Sequence, residues 1–347
     1  MTRPPDREHL GEFDIIARFF APLATDPGSL GLTDDAALLH SESRDDLVVT
    51  TDTLIETIHF LPDDPPETVG HKALAVNLSD LAAKGAEPKA YLLALSLPED
   101  EPRTPSGGWL EALAGGMKRL QEKAGLALIG GDTTATPGPL TLTVTAIGRV
   151  PEAQAVLRSR AHAGDRLYVT GTIGDATLGL RLLREPNLTD LWGLSDDEAR
   201  YLVDRYRCPQ PRYALARALR HLAHGAIDIS DGLAGDLDKL CVASGVSATV
   251  DAPKVPLSEP AAKACAEDPN LLPALLTGGD DYEILAAIPA DRARAFETEA
   301  KRAGVPMSRI GAVRADLPAE AVFFDGSGAP IALPNRSFSH FGPSSGA

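Results

Sequence analysis

Five short segments of the chain place aspartate beside threonine, serine or glycine. They read TDDAALL at 33–39, TTDT at 50–53, GGDTT at 130–134, AIDISDGL at 226–233 and GGDDYEI at 278–284. Two carboxylates about 4 Å apart repel each other by ~4 kcal/mol at the effective dielectric of a protein surface, and a bound cation removes that penalty. Mg²⁺ suits such oxygen-rich sites, because it binds one or two carboxylates together with water and substrate phosphates. The segments therefore predict a site for divalent cations.

The acids that can meet at such a site lie at the ends of strand-like runs or at the starts of helix-like runs: Asp35, Asp52, Asp80, Asp132, Asp228 and Asp231. A purely structural role is the alternative, since Asp175 and Asp231 have the spacing of helix N-caps. A cap needs only one acceptor, whereas several of these segments hold two acids or an acid with a hydroxyl. The five segments together favour a site.

Several other chemistries lack their sequence motifs. No GxxxxGK[ST], GxSxG or HExxH motif occurs, and GTIG at 171–174 is not a full GxGxxG motif. These absences argue against a Walker phosphate loop, a serine nucleophile elbow and a zincin site. Three widely spaced cysteines without a CxxC pair predict neither a disulfide framework nor a cysteine zinc site.

The elements that must position the acids alternate between strands and helices. Strand-like runs occupy 47–51, 91–97, 126–129 and 140–148, with helical patterns at 70–84 and 109–124. On the first helix Asn77, Asp80 and Lys84 share one face. Residues 150–164 interrupt the alternation, which then resumes and includes a capping box at Ser195 and Glu198. We predict an α/β or α+β protein with two domains, 1–150 and 151–347.

Composition limits the class of partner. The 347 residues contain 33 basic and 49 acidic side chains, a formal charge of −16, with no basic block that could follow a phosphate backbone. Nucleic-acid binding is therefore not expected. The start MTRPPDREHLGEF has no apolar signal region, and no run of 18 apolar residues occurs. These features predict a cytoplasmic protein that binds no membrane.

The motifs together resemble the thiamine-monophosphate kinase family. The resemblance rests on GEFDIIARF, TDDAALL, TTDTLIETIHF, HKALAVNLSDLAAKGAEP, IGGDTT, GDRLYVTGTIGDA, AIDISDGL and GGDDYEI in this order, from residue 11 to about residue 341. It implies ATP-dependent phosphorylation of thiamine monophosphate to thiamine diphosphate, with ATP and several Mg²⁺ ions in a cleft. It also implies a homodimer in which the mixed sheets of the N-terminal domains pair into a barrel, while the C-terminal α/β domain completes the ATP and substrate site.

The resemblance also implies roles for individual residues. Implied metal ligands are Asp35, Thr50, Thr51, Asp52, Asp80, Asp132, Asp228 and Asp231. Implied ATP contacts are Gly131, Asp132, Arg158 and Ser230. Implied thiamine contacts are His59, Asp280 and Phe338, although local pattern alone assigns His59 and Phe338 to packing and Arg158 to the surface. No covalent or general-base residue is expected, because the phosphate of the acceptor is already an anionic nucleophile.

Two positions depart from the family pattern, and two other readings stay open. Thr33 replaces a common glycine, and Asp280 stands where many relatives have glutamate. Selenophosphate synthetase and the hydrogenase-maturation enzyme are related enzymes, but each is expected to have a cysteine at a position where this sequence has none. Aminoimidazole ribonucleotide synthetase is therefore the second reading. A protein that binds metal or nucleotide without turnover is the third.

Overall fold

The computed structural model describes residues 16–26, 44–99, 108–315, 318–333 and 335–337. Thr33, Asp35 and Phe338 lie outside these ranges. Contacts group the chain into two units, one formed by Met1–Leu81 with Glu87–Ala153 and the other by Ala82–Ala86 with Gln154–Ala347. The predicted domain limits, 1–150 and 151–347, stay predictions.

The first unit combines a mixed sheet with two long helices. After helical turns at Ile16–Phe20 and Ala21–Leu23, its elements are β1 (Asp45–Ile55), α1 (Pro66–Ala83), β2 (Glu87–Pro98), α2 (Gly108–Ala124), β3 (Ala127–Thr136) and β4 (Thr141–Pro151). The predicted strands and helices of this half are confirmed. Most are longer than their sequence patterns, because pairing and packing extend the ends.

Strand order in the first unit is β1-β4-β2-β3 among the described residues. Strand β4 is antiparallel to both β1 and β2, whereas β2 and β3 are parallel. The helices pack on one face, where Tyr91 of β2 donates a hydrogen bond of 2.9 Å to Gln121 of α2. Alternate β4 residues, including Leu142, Val144 and Ala146, are buried against that face. Because the strand order begins with β1 and ends with β3, these two strands form the edges of the sheet.

The second unit contains a larger mixed sheet with helices around it. Its strands are β5 (Arg166–Thr170), β6 (Gly225–Ile229), β7 (Ser247–Asp251), β8 (Glu283–Ile288), β9 (Met307–Arg314) and β10 (Ala321–Phe324). Its helices are α3 (Asp175–Arg184), α4 (Leu188–Leu191), α5 (Asp196–Arg207), α6 (Ala216–Leu222), α7 (Leu233–Ser244), α8 (Glu259–Glu267), α9 (Leu271–Thr277) and α10 (Ala293–Arg302). Single helical turns occur at Arg158–Arg160, Tyr213–Leu215 and Ala252–Lys254.

Strand order in this sheet is β10-β7-β9-β5-β8-β6 among the described residues. Both β5 and β6 pair antiparallel with β8, so they run in the same direction. One core cluster joins β5, β6 and α7 through residues such as Leu167, Ile227 and Leu237. Strand β6 is buried along its whole length, which fixes the turn that follows it.

One predicted cap is confirmed. Ser195 precedes α5, and its hydroxyl accepts from the Glu198 backbone N–H at 3.3 Å, while the Glu198 carboxylate accepts from the Ser195 backbone N–H at 2.7 Å. This reciprocal pair is the capping box predicted from the sequence.

The alternative considered from the sequence, an N-cap role for Asp175 and Asp231, is not what the structure shows. Gly174 and Gly232 hold the N-cap positions of α3 and α7. Asp236 lies one turn inside α7 and accepts from the backbone N–H of Asp231 at 2.9 Å. The turn is thus bonded by an acid from within the helix, which leaves the Asp231 side chain for other contacts.

All three cysteines are free, as expected. None of the described helices combines the length and hydrophobicity needed to cross a membrane.

Candidate functional site

Three predicted metal ligands in the first unit lie on the same side of the sheet. Thr50 and Asp52 are two residues apart on β1, so their side chains lie on the same face of the sheet. Their β4 partners, Ala146 and Val144, belong to the buried face that the helices cover. The Thr50 hydroxyl donates to Asp80 Oδ2 at 2.5 Å, which links β1 to α1. These donors are a hydroxyl and carboxylate oxygens, the ligand type that Mg²⁺ prefers, so they fit that ion.

Thr51, another predicted ligand, lies on the opposite face of β1. Its hydroxyl is 3.0 Å from the hydroxyl of Thr145, and Thr53 and Thr143 form a second hydroxyl pair at 2.8 Å. Both pairs are exposed. The side chain of Thr51 therefore does not join Thr50 and Asp80 within this unit.

Asp132 lies at the far edge of the sheet from Asp52. On β3 it is level with Ala94 of β2, and Ala94 is level with Thr143 of β4, which is level with Thr53 of β1. Three strand spacings separate the two edges, about 14 Å in a flat sheet. Ligand oxygens of one Mg²⁺ lie no more than about 4.2 Å apart. Asp52 and Asp132 of one chain therefore lie at opposite edges of the sheet, with backbones much farther apart than two ligand oxygens of one ion.

Gly131, a predicted ATP contact, has a structural reason to be glycine. A Cβ atom there would lie 1.8 Å from the Leu93 carbonyl oxygen of the neighbouring strand. Its lack of a side chain therefore permits strand pairing and would also leave the backbone open to a ligand.

His59 lies in the turn after β1. Its Nδ1 accepts from the Ile55 backbone N–H at 2.9 Å, so that nitrogen carries no proton in this arrangement. The buried Lys72 of α1 donates to the His59 carbonyl oxygen at 2.9 Å. These two hydrogen bonds fix the imidazole and the backbone of His59 in the turn after β1.

In the second unit, AIDISDGL forms the end of β6 and the turn into α7. Asp228 lies within β6 and is 7% exposed. Asp231 accepts from Lys239 Nζ at 2.6 Å, and the same ammonium donates to Asp236 at 2.8 Å. Burial lowers the pKa of Lys239, but the hydrogen bonds to Asp231 and Asp236 outweigh it and raise the pKa. A lysine cation therefore already contacts one predicted metal ligand.

Lys239 was not singled out from the sequence. Its signal is weak: it follows Asp236 at i+3, which places both on one face of α7. A carboxylate has two oxygens, so Asp231 retains ligand capacity beyond the oxygen bonded to Lys239.

The GGDDYEI segment contacts the AIDISDGL turn directly. Asp280 has φ 71°, and its backbone N–H donates to the Ser230 carbonyl oxygen at 2.9 Å. A Cβ on Gly279 would lie 2.3 Å from that same oxygen, so only glycine permits this approach. The structure thus brings Ser230 and Asp280 together, one assigned to ATP and the other to thiamine by the resemblance.

Two acids of the same segment have structural partners. Glu283 is fully buried and accepts from Arg205 at 2.8 Å, from Arg212 at 2.5 Å and from the Thr170 hydroxyl at 2.6 Å. Asp281 is also buried, and burial raises its pKa well above the usual range although the Gly174 N–H opposes this by donating to it. These two acids hold the segment in place.

Arg158, predicted to contact ATP, lies on an exposed helical turn. The Ser244 hydroxyl donates to its carbonyl oxygen at 2.7 Å, which ties the turn to the end of α7. Two surface clefts in the described residues, one of about 1050 Å³ beside β7 and β9, contain none of the predicted site residues.

Family models match both units. The model of the AIR synthase related protein N-terminal domain matches residues 33–150, and that of the C-terminal domain matches residues 162–321. The thiamine-monophosphate kinase of Salmonella typhimurium is 40% identical over 95% of this chain and 98% of the relative. The chain belongs to the thiamine-monophosphate kinase family. The predicted family and the two-domain α/β fold are therefore confirmed.

Solved structures of the thiamine-monophosphate kinase family agree. The enzyme from Stenotrophomonas maltophilia K279a is 40% identical, with a TM-score of 0.77 over 87% of this chain and 93% of that one. AaThiL complexed with AMPPCP and TMP is 28% identical, with a TM-score of 0.74 over 98% of this chain and 99% of that one.

Proposed function

We propose that this protein transfers the γ-phosphate of ATP to thiamine monophosphate and releases thiamine diphosphate and ADP, the last step in making thiamine diphosphate. The observation that carries the proposal is 40% identity to a thiamine-monophosphate kinase over 95% of the chain. The related AaThiL structure contains AMPPCP and TMP, an ATP analogue with the proposed acceptor. A cytoplasmic location is part of the proposal and rests on the sequence alone.

The proposed chemistry is direct in-line transfer. A phosphate oxygen of thiamine monophosphate attacks the γ-phosphorus, the bond from that phosphorus to the ADP oxygen breaks, and no protein base is needed. Several Mg²⁺ ions, when bound, would neutralise the phosphate oxygens. The chain's own task is then to position both substrates and to hold the cations.

Roles for residues follow the geometry and the family pattern together. We assign cation binding to Thr50, Asp52 and Asp80, whose oxygens share one face, and to Asp228, at the buried end of β6. The remaining proposed ligands are Asp35, Thr51, Asp132 and Asp231. Proposed ATP contacts are Gly131, Asp132, Arg158 and Ser230, and proposed thiamine contacts are His59, Asp280 and Phe338.

A homodimer is part of this proposal, and two features of the first unit support it. The face of β1 away from the helices exposes Leu47 at 47% and Val49 at 61%, although a solvated sheet face normally carries polar side chains. Asp52 and Asp132 also lie on opposite edges of one sheet. A barrel of two sheets can place the β3 edge of one copy beside the β1 edge of the other, so that the ligand set is completed between copies.

Mixing two inactive variants tests this arrangement. Asp52→Asn and Asp132→Asn are each expected to abolish turnover as purified homodimers. If one site uses Asp52 of one copy and Asp132 of the other, a mixed dimer has one intact site and one doubly altered site. Random exchange of subunits should then restore about a quarter of wild-type activity. If both acids act from the same chain, the mixture stays inactive and the shared-site proposal fails.

The reaction itself is tested by chromatography with ATP, Mg²⁺ and thiamine monophosphate, beside a parallel reaction with the substrate of aminoimidazole ribonucleotide synthetase. Equal amounts of thiamine diphosphate and ADP are expected. Turnover only in the parallel reaction would replace the proposal with the second reading. Nucleotide binding by calorimetry without release of ADP would indicate a protein that binds but does not catalyse.

A further inference from the structure

A cluster of two histidines and one aspartate lies in the second unit and includes none of the residues assigned above. His162 Nδ1 and His224 Nδ1 are 3.1 Å apart, and His224 Nδ1 is 2.9 Å from Asp165 Oδ1. The three ligand atoms all lie within 4.8 Å of one another. His162 is exposed, the side chain of His224 is 30% exposed and that of Asp165 is 4% exposed. The cluster is thus rigid on one side and accessible on the other.

The fold explains why these residues meet. Asp165 immediately precedes β5 and His224 immediately precedes β6, and both strands pair antiparallel with β8. The first residues of β5 and β6 therefore lie at the same end of the strands, on either side of β8. The His224 backbone N–H donates to the Ala287 carbonyl at 3.0 Å, and the Val313 N–H donates to the Asp165 carbonyl at 2.9 Å. Neighbouring strands thus fix both residues from the backbone.

His162 is held by a tight turn. Its backbone N–H donates to Asp165 Oδ2 at 2.9 Å, and its carbonyl accepts from the Asp165 N–H at 3.0 Å. The ring of His162 meets that of His224 edge on, with centroids 4.4 Å apart. The turn and the strand ends therefore present three ligand groups at one point.

Hydrogen bonding alone accounts poorly for the cluster. A histidine Nδ1 has either one proton or one lone pair, so His224 Nδ1 can donate to Asp165 or to His162 but not in line to both. Separations near 3 Å match those between neighbouring ligands around a metal ion, because two bonds of about 2.1 Å at 90–109° place the ligand atoms about 3.0–3.4 Å apart. A cation among the three atoms would use a lone pair from each.

We propose that His162, Asp165 and His224 form a binding site for a late first-row divalent metal ion such as Zn²⁺. Two imidazole nitrogens and one carboxylate favour Zn²⁺ over Mg²⁺, which prefers oxygen ligands. The exposed side leaves room for water as a further ligand. The ion would cross-link the residues that precede β5 and β6. This site shares no residue with the proposed phosphate site, and Ser230 and Asp231 follow the other end of β6, about 16 Å away.

Calorimetric titration with ZnCl₂ in a large excess of Mg²⁺ tests the site, because Mg²⁺ occupies the acidic sites. We expect the wild-type protein to bind one more Zn²⁺ than His162→Ala or His224→Ala, or to bind it at least tenfold more tightly. His221→Ala is the matched control, since this exposed histidine lies three residues from His224 and outside the cluster. Equal stoichiometry and affinity in all four proteins would overturn the proposal.

Thermal unfolding supplies a second readout. Zn²⁺ should raise the melting temperature of the wild type and of His221→Ala but not of His162→Ala, because a ligand that binds only the folded state stabilises it. If a variant fails to fold, anomalous diffraction from wild-type crystals soaked in Zn²⁺ decides: a peak within bonding distance of the three ligand atoms supports the site. Its absence there would mean that the cluster is only a hydrogen-bonded group.

Discussion

Asp80 in the first unit and Glu283 in the second unit have different kinds of partner. In the first unit Asp80 accepts from a neutral hydroxyl, that of Thr50. In the second unit Glu283 accepts from two arginines, Arg205 and Arg212, in a fully buried setting. The arginines compensate the charge of Glu283 within the chain, whereas the hydroxyl of Thr50 brings no positive charge to Asp80. The partners therefore indicate a structural role for Glu283 and are compatible with the proposed cation-binding role of Asp80.

Replacing Asp52 tests the functional side of this comparison. For Asp52→Asn we expect kcat to fall by about 10³-fold, since a cation that bridges phosphates contributes several kcal/mol in the transition state. Formation of thiamine diphosphate measures the rate, and circular dichroism checks the fold. Asp45→Asn is the control, because Asp45 lies on the same strand with Arg149 at 3.8 Å and should leave kcat within about twofold. Near-normal turnover by a folded Asp52→Asn variant would contradict the assignment.

Replacing Glu283 tests the structural side. Glu283→Gln should lower the free energy of unfolding by about 3 kcal/mol, because it leaves Arg205 and Arg212 as buried charges without their carboxylate. Urea unfolding measures the change. Glu299→Gln removes a surface carboxylate paired with Arg302 and should change stability by less than about 0.5 kcal/mol. If both variants lose the same stability, Glu283 is not the anchor we describe.

Asp281 provides a pH-dependent test. Burial raises its pKa, so the folded state holds this proton at pH values where the unfolded chain has lost it. The contribution of Asp281 to wild-type stability should therefore fall as the pH rises above the ordinary aspartate value of 3.8. Asp281→Asn removes this contribution, so the stability of the variant relative to wild type should rise from pH 4 to pH 7. Unfolding midpoints across that range measure it, and a constant difference between the two proteins would refute it.

Lys239 tests the case in between, an acid that has a lysine partner and a proposed cation. Lys239→Met should lower the Mg²⁺ concentration for half-maximal turnover by up to about fivefold, because a partly exposed ion pair contributes no more than ~1 kcal/mol. Lys263→Met, which breaks the surface pair with Glu198, is the control. An unchanged Mg²⁺ requirement would indicate that Asp231 binds only Lys239.

The sequence was sufficient to predict those structural elements that depend on neighbouring residues. The strand at 47–51, the helix at 70–84 and the Ser195 capping box each depend on residues close in the chain, and all three are confirmed, with shifted ends for the strand and the helix. Asp175 and Asp231 have the spacing of caps but do not cap their helices, because neighbouring glycines and Asp236 take those roles. Spacing alone does not distinguish a cap from an acid that contacts the turn from inside the helix.

The candidate site was predictable in its residue types but not in its partners. Arg205 and Arg212 lie more than 70 positions from Glu283, so no local signal identified that network. The separation of Asp52 from Asp132 depends on strand order, which periodicity does not reveal. The cluster of His162, Asp165 and His224 was missed for the same reason, because two parallel strand starts bring it together.

The contact between Ser230 and Asp280 has a thermodynamic consequence. The Asp280 N–H donates to the Ser230 carbonyl, and the Tyr282 N–H donates to the Ile229 carbonyl at 2.8 Å, so backbone hydrogen bonds hold the two segments together as one piece. If Ser230 contacts ATP and Asp280 contacts thiamine, ordering that piece for one substrate orders it for the other. We then expect each substrate to raise the affinity for its companion by the same factor, as linkage between two binding equilibria requires.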